Sequence, residues 1–434
     1  MGPRLAALQR GAETLDEGVN QMKWRHFALV PALVLIIVTS GPVLAATELA
    51  GTMGGGAHFK IVVPDLWNGD LVIWNHGFSL VPVGPVTDLG PLAELQLSEG
   101  YAIAASSYRQ NGWAVFKTKN DFQELVGLFK DHFGRPGAII VTGASLGGIV
   151  TASVLEEVHS GNIVGALTVC GAMAGSRNWD GALDLRLVYD AVCGTVPGAA
   201  IPGGAEGLPE GSTLDGTGLA TAVNACTGIF LPSAARSPEQ TERLARILDV
   251  TKLPESFLLT DMGFATFAMS NLVHENGKLN GKIGTGNASV DYGDPLINAS
   301  IERVSPNHGA ANRLERHFIP TGEVRGAKIV SLHTDKDGLV VVENESEYGS
   351  VVPPQDLTTA IVVEAAPTHC GFTAGEIVAG WESLRGWVAG GPQPSAASIQ
   401  GTCLGIVAGG LAAGPCRIDP TFVVPDMDGR IRPR

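Results

Sequence analysis

One stretch, residues 138–158, constrains the fold more than any other. The apolar run Ala138-Ile139-Ile140-Val141-Thr142 meets Gly143-Ala144-Ser145-Leu146-Gly147-Gly148, and a helical pattern opens at Leu146 and continues to about Val158. A continuous apolar run of strand length belongs to a strand covered on both faces. Glycines two before and two after the serine let the backbone reverse without Cβ clashes, which presents the serine Oγ at the end of the strand. Strand followed by glycine recurs along the chain. Residues 57–64 read as a strand, Leu71-Val72-Ile73-Trp74 as a buried one ending at Asn75-His76-Gly77-Phe78, and 101–107, 164–170, 327–332 and 360–364 as others. Helical spacing of apolar residues marks 113–133, 146–158 and 373–388. Strands alternating with helices predict an α/β fold, a mostly parallel sheet covered by helices on both faces.

The alternation stops between about 175 and 326, where Pro/Gly-rich connections join helical patches at 238–250 and 255–274. The first of these opens on Ser237 and Gln240, the spacing of a capping box. The expected organisation is a core formed by 47–174 and 326–424, with 175–325 inserted as a large helical lid before the strand that carries the catalytic acid. Apolar stretches in the lid, Phe257-Leu258-Leu259 and residues 262–269, either shape an apolar pocket or form the lid's own core. Beyond Gly390 the chain is rich in Pro, Gly and Ser and shows no motif, and 425–434 is read as a tail.

The N-terminal region fits an export signal. Lys23, Arg25 and His26 precede the apolar run 27–38, and small residues follow up to Ala45-Ala46. A basic start, a short apolar centre and a small-residue end read as a signal peptide over 1–46, with Met22 as a possible true start. The run is short of the ~20 residues a membrane span needs, so no stable span is expected after cleavage, an uncleaved anchor being the alternative. Export places the protein outside the cytoplasm, as a secreted, periplasmic or cell-surface chain. All six cysteines lie beyond the signal, and an even number in an oxidising compartment reads as disulfides. Fifteen pairings are possible; proximity in the chain favours Cys403 with Cys416 and Cys193 with Cys226, leaving Cys170 with Cys370. No C-x-x-C or H-E-x-x-H occurs, and neither a metal nor an organic cofactor is expected. The formal charge of −14, with no block of Lys and Arg, argues against a nucleic-acid partner.

A serine is a poor nucleophile at neutral pH until a base removes its proton and a carboxylate orients that base. In a fold of this kind acid and histidine follow the serine along the chain. His369, in the loop after the strand at 360–364 and before the last helix, stands where the base belongs. His333 ends a strand and is expected to pack there, and His308 and His317 are expected at the surface. For the acid, Asp335 and Asp337 both lie in the loop after the strand at 327–332, and the Gly-Leu-Val that follows Asp337 favours it. Leu146, next to the serine, and Phe78, in the loop after Trp74, are expected to offer backbone N–H groups to an oxyanion. His76 precedes the serine and is read as a brace of that loop. Tyr108 and Trp179 are expected to line the site.

Five segments carry a resemblance: NHGF at 75–78, GYAIAASSYRQNGWAV at 100–115, TGASLGG at 142–148, SLHTDKDGLV at 331–340 and THCGFTAGE at 368–376. Together they resemble secreted bacterial serine hydrolases of the α/β-hydrolase superfamily, in the branch of esterases, polyester-depolymerase-like and prolyl-oligopeptidase-like enzymes. The resemblance covers both ends of the core but not the lid. It implies Ser145, Asp337 and His369 as a triad, with the Phe78 and Leu146 N–H groups as oxyanion hole. Tannases and fungal-type feruloyl esterases carry a cysteine immediately before the serine, bonded to one after the histidine; here Cys370 follows the histidine but Ala144 precedes the serine. The HGGG loop of hormone-sensitive-lipase-like esterases is absent too. The expected activity is hydrolysis of a small-molecule or polymeric carboxylic ester through an acyl-enzyme. An amidase or peptidase using the same residues, or a binding protein that keeps the fold without the chemistry, are the alternatives.

Overall fold

The computed structural model describes residues 46–81, 84, 88–158 and 162–427. The expected signal peptide, apart from Ala46, and residues 428–434 of the expected tail lie outside the described residues. Nine strands form one sheet in the order β1-β2-β4-β3-β5-β6-β7-β8-β9. They are β1 (Ala46–Thr52), β2 (His58–Pro64), β3 (Leu71–Asn75), β4 (Ala102–Ser106), β5 (Ile139–Ala144), β6 (Ile163–Val169), β7 (Lys328–Thr334), β8 (Leu357–Val362) and β9 (Ile418–Asp419). From β4 to β8 every neighbouring pair is parallel, and the antiparallel pairs β1/β2, β2/β4 and β8/β9 lie towards the two edges. The α/β fold with a mostly parallel sheet is therefore the one the apolar runs predict. β3, β4 and β5 are buried along their whole length, as their largely apolar sequences require.

Helices cover both faces. Thr118–Phe133 and Leu146–Glu157 pack on one side, and Ala374–Val388 with Ala396–Ala408 on the other, where Trp381 meets Tyr101 edge-on at 5.3 Å. The order 4-3-5 is a switch point: β4 connects away to one side of β3, and β5 lies on the other. A crevice opens at the carboxyl ends of strands beside such a point. The loops following β3 and β5 face that crevice.

Between β6 and β7 the described residues contain helices and no strand. The main ones are Asn178–Cys193, Gly216–Thr227, Pro238–Thr251 and Leu258–Gly263, the last continuing through a π-helical turn, Phe264–Ala268, into Met269–His274. The Ser237–Gln240 capping box is present. Leu258, Met262, Ala265, Ala268 and Met269 are buried in a core shared with Ile149 and Val150 of the helix behind β5. Most of the apolar stretch is thus interior, and Phe264 is the part of it that reaches a cavity.

Three disulfides are present, Cys170–Cys370, Cys193–Cys226 and Cys403–Cys416, the pairing that chain proximity favours. Several elements depart from the sequence reading. β8 begins three residues earlier than 360, and β1, β9 and the helix Ala396–Ala408 occupy stretches not read as strand or helix. His317 is half-buried rather than at the surface: its carbonyl accepts from Trp113 Nε1 and its ring lies 5.4 Å from that of Phe116. His308 is exposed. Among the described residues no helix is long and apolar enough to cross a membrane.

Candidate active site

Ser145 sits between β5 and the helix Leu146–Glu157 with φ 56° and ψ −124°. A non-glycine residue held there costs on the order of 1–3 kcal/mol, which the surrounding packing must supply. The glycines around it are required by space. A Cβ on Gly143 would stand 2.1 Å from the Gly147 carbonyl oxygen, one on Gly147 2.0 Å from that of Asn75, and one on Gly148 2.5 Å from Gly171 Cα. The turn is pinned to β6, since Ser145 N–H donates to the Val169 carbonyl at 3.0 Å.

The loops after β7 and β8 bring the other two groups to this serine. Asp337, buried, accepts at Oδ1 from the Leu339 and Val340 N–H groups, each at 2.9 Å. His369 Nδ1 lies 2.8 Å from Asp337 Oδ2 and 3.0 Å from Oδ1, and His369 Nε2 lies 2.9 Å from Ser145 Oγ. A carboxylate only accepts, so the proton of a neutral His369 belongs on Nδ1 and the Nε2 lone pair faces the serine hydroxyl. Asp335 is engaged elsewhere. Its Oδ1 accepts from Glu364 N–H at 2.7 Å and its own N–H donates to the Val362 carbonyl, so it braces the two loops against each other.

Cys370 follows His369 and is bonded to Cys170, the residue after β6. Its Sγ lies 3.5 Å from His369 Nε2. Cys170 N–H donates to the Leu332 carbonyl of β7. The disulfide therefore fixes the histidine loop to the strand ends that flank the serine turn. Cys170, His369 and Cys370 also stand within 4.8 Å of one another, but sulfurs bonded to each other are not the thiolates a metal would need.

Phe78 and Leu146 flank Ser145 in the wall of a pocket of ≈ 160 Å³, together with Trp113, Trp179 and Phe264. In that wall Trp179 lies edge-on to Trp113 at 5.5 Å. Tyr108 does not line this pocket. Buried, and with φ 56°, it stacks on the His76 ring at 4.1 Å and donates its hydroxyl to the His76 carbonyl at 3.0 Å. It acts on the loop before Phe78 rather than on the cavity. His76 is half-buried and braces the same loop through Nδ1 and the Gly77 carbonyl at 2.7 Å; burial lowers its pKa. From the helical segment, Phe264 packs on Phe78 at 4.8 Å, and the Phe257 ring fills the space where a Gly338 Cβ would stand, at 2.2 Å. Both the loop after β3 and the turn at Asp337–Gly338 are therefore covered by aromatic rings from one helical stretch. Sequence reasoning did not single out Trp113 or Cys170 for the site. Trp113 opens a helical pattern, and Cys170 is distinguished only by its partner, 200 residues away.

A mostly parallel sheet with a serine turn of this geometry after its central strand is an α/β-hydrolase-like fold. No protein-family model matches the chain, and no curated protein matches it. Among solved structures, an esterase of Pyrococcus furiosus is 15% identical, with 81% of this chain and 92% of that one covered and a TM-score of 0.37. Lipase A of Candida antarctica in its closed state is 11% identical, with 88% and 83% covered and a TM-score of 0.42. A 2,6-dihydroxy-pseudo-oxynicotine hydrolase is 12% identical, with 81% and 70% covered and a TM-score of 0.40.

Proposed function

We propose that this protein is a serine hydrolase that cleaves a carboxylic ester through an acyl-enzyme. The observation that carries the reading is the unbroken hydrogen-bonded series Ser145–His369–Asp337 at the edge of an apolar pocket. Ser145 Oγ attacks the ester carbonyl while His369 Nε2 takes the hydroxyl proton, and Asp337 balances the imidazolium that results. The Phe78 and Leu146 N–H groups hold the oxyanion. The tetrahedral adduct collapses, the C–O bond to the alcohol breaks, and the alcohol leaves with the proton from His369. Water, activated by the same nitrogen, then releases the acid and regenerates Ser145. No metal or organic cofactor takes part in this sequence. The helical segment 175–325 acts as the lid: Trp179 and Phe264, with Trp113 and Phe78 of the core, surround the apolar part of a small-molecule or polymeric ester. Three disulfides favour a working place outside the cytoplasm.

The test is a series of aryl and alkyl esters of rising acyl length, run beside a matched anilide. Ester turnover that is lost in Ser145→Ala supports the reading. Faster turnover of the anilide than of its ester makes the protein an amidase, and no turnover of either overturns the proposal.

A further inference from the structure

Behind the acid lies a pair of titratable side chains that the reaction above does not use. His333 in β7 and Glu345 in the helix Asn344–Val351 have no exposed side-chain surface. The His333 ring is held at both nitrogens, with Nε2 2.7 Å from the Val340 carbonyl and Nδ1 3.1 Å from Glu345 Oε1. A carbonyl only accepts, so Nε2 carries a proton; an ionised carboxylate only accepts, so Nδ1 carries one too. Val340 also gives its own N–H to Asp337 Oδ1 at 2.9 Å, and His333 Nε2 stands 3.9 Å from Asp337 Oδ2. Ser331 Oγ, which donates to Glu345 Oε1 and accepts from Thr168 Oγ1, completes the surroundings, with Tyr348 and Glu156 the next titratable groups beyond Glu345.

We propose that His333, held as an imidazolium by Glu345, is a positioning residue for Asp337. It anchors the 337–340 turn through the Val340 carbonyl and places a buried positive charge behind the carboxylate. In a poorly screened interior that charge acts strongly on the carboxylate that orients His369 and balances it once it takes the Ser145 proton. Burial by itself lowers the pKa of a histidine; here Glu345, with Asp337 and the Val340 carbonyl, turns the net shift upward. The catalytic consequence rests on the proposed ester hydrolysis, whereas the charge state of His333 does not.

Two measurements on the whole protein test this. Ring-nitrogen NMR of the ¹⁵N-labelled protein is expected to show one histidine still protonated at both nitrogens above the ordinary histidine range, with its signals lost in His333→Gln. A His333 ring with a single proton at or below the ordinary histidine range overturns the proposal. In kinetics, His333→Gln keeps an N–H donor for Val340 but removes the charge. Its kcat is expected to fall by about tenfold or more with KM within about twofold, and the acid limb of kcat/KM to move to higher pH, because removing a nearby positive charge makes it easier to add a proton to the site. Wild-type kcat with an unmoved acid limb overturns the proposal. If the variant does not fold, the NMR result on the unaltered protein decides. Should the unaltered protein hydrolyse no ester, the proposed function fails and the NMR result still decides the charge of His333.

Discussion

His369 Nε2 lies 2.9 Å from Ser145 Oγ although 224 residues separate them in the chain. Two things hold that contact. The parallel register of β5 through β8 sets the loops after the strands side by side, and the Cys170–Cys370 bond fastens the histidine loop to the end of β6, whose Val169 carbonyl in turn accepts from Ser145 N–H.

The acid should act through orientation and charge. Asp337→Asn leaves the Leu339 and Val340 N–H bonds possible but can offer an N–H to His369 Nδ1, which favours the wrong tautomer. We expect kcat to fall on the order of 10⁴-fold with little change in KM, measured on a soluble ester. Asp335→Asn, by contrast, should leave kcat within about threefold, since its carboxylate reaches the Glu364 N–H and not the histidine.

Breaking the Cys170–Cys370 bond should cost more activity than breaking a distant one. In the double variant Cys170→Ser with Cys370→Ser we expect kcat to drop about tenfold and unfolding stability to fall by roughly 2–5 kcal/mol. Cys403→Ala with Cys416→Ala, at the helix Ala396–Ala408, should lower the melting temperature with kcat unchanged. Ester assays and thermal melts of the two variants check this.

Gly338 should tolerate no side chain while Phe257 is opposite it. In Gly338→Ala the methyl group meets the Phe257 ring at 2.2 Å, and relieving that contact shifts the Asp337 turn, a cost of about 1–3 kcal/mol in overpacking. Activity and melting temperature should both fall. Adding Phe257→Ala should restore part of the kcat, which a ring with no part in the overlap would not do.

Stability should depend on pH through Asp190. Burial, partly offset by Arg186, pushes its pKa up to about 6 from the ordinary 3.8. The folded state therefore holds the proton more tightly than the unfolded one, so Asp190 favours the fold at low pH and that benefit is lost as pH rises from about 4 to about 6. Asp190→Asn carries no such charge. Its melting temperature relative to the unaltered protein should rise between pH 4 and pH 7, as thermal melts at both values will show.

Much of this was legible in the sequence where geometry leaves a residue no choice. Glycines at 143, 147 and 148 are forced by backbone atoms within 2.0–2.5 Å of any added Cβ, and the strands around them are wholly buried and mostly apolar. Where burial is slight the pattern vanishes. β1 is exposed at six of its seven positions, so nothing selects an apolar alternation there, and β9 has two residues. The helix Ala396–Ala408 buries only Ile399, Cys403 and Ile406 in a stretch rich in Gly and Ala, so its helical spacing is thin, and its start is marked by Ser395 and Ser398. Tyr108 shows the other limit. Its place after β4 could be read, but the left-handed backbone that turns its ring onto His76 depends on tertiary contacts.

If Ser145 is the nucleophile and His369 its base, a serine-directed phosphonate should label that hydroxyl, as intact-mass analysis followed by peptide mapping will show. We predict one adduct per chain, on Ser145, formed at a rate that falls in Asp337→Asn and absent in Ser145→Ala. An adduct on another residue, or full ester turnover by Ser145→Ala, would contradict it.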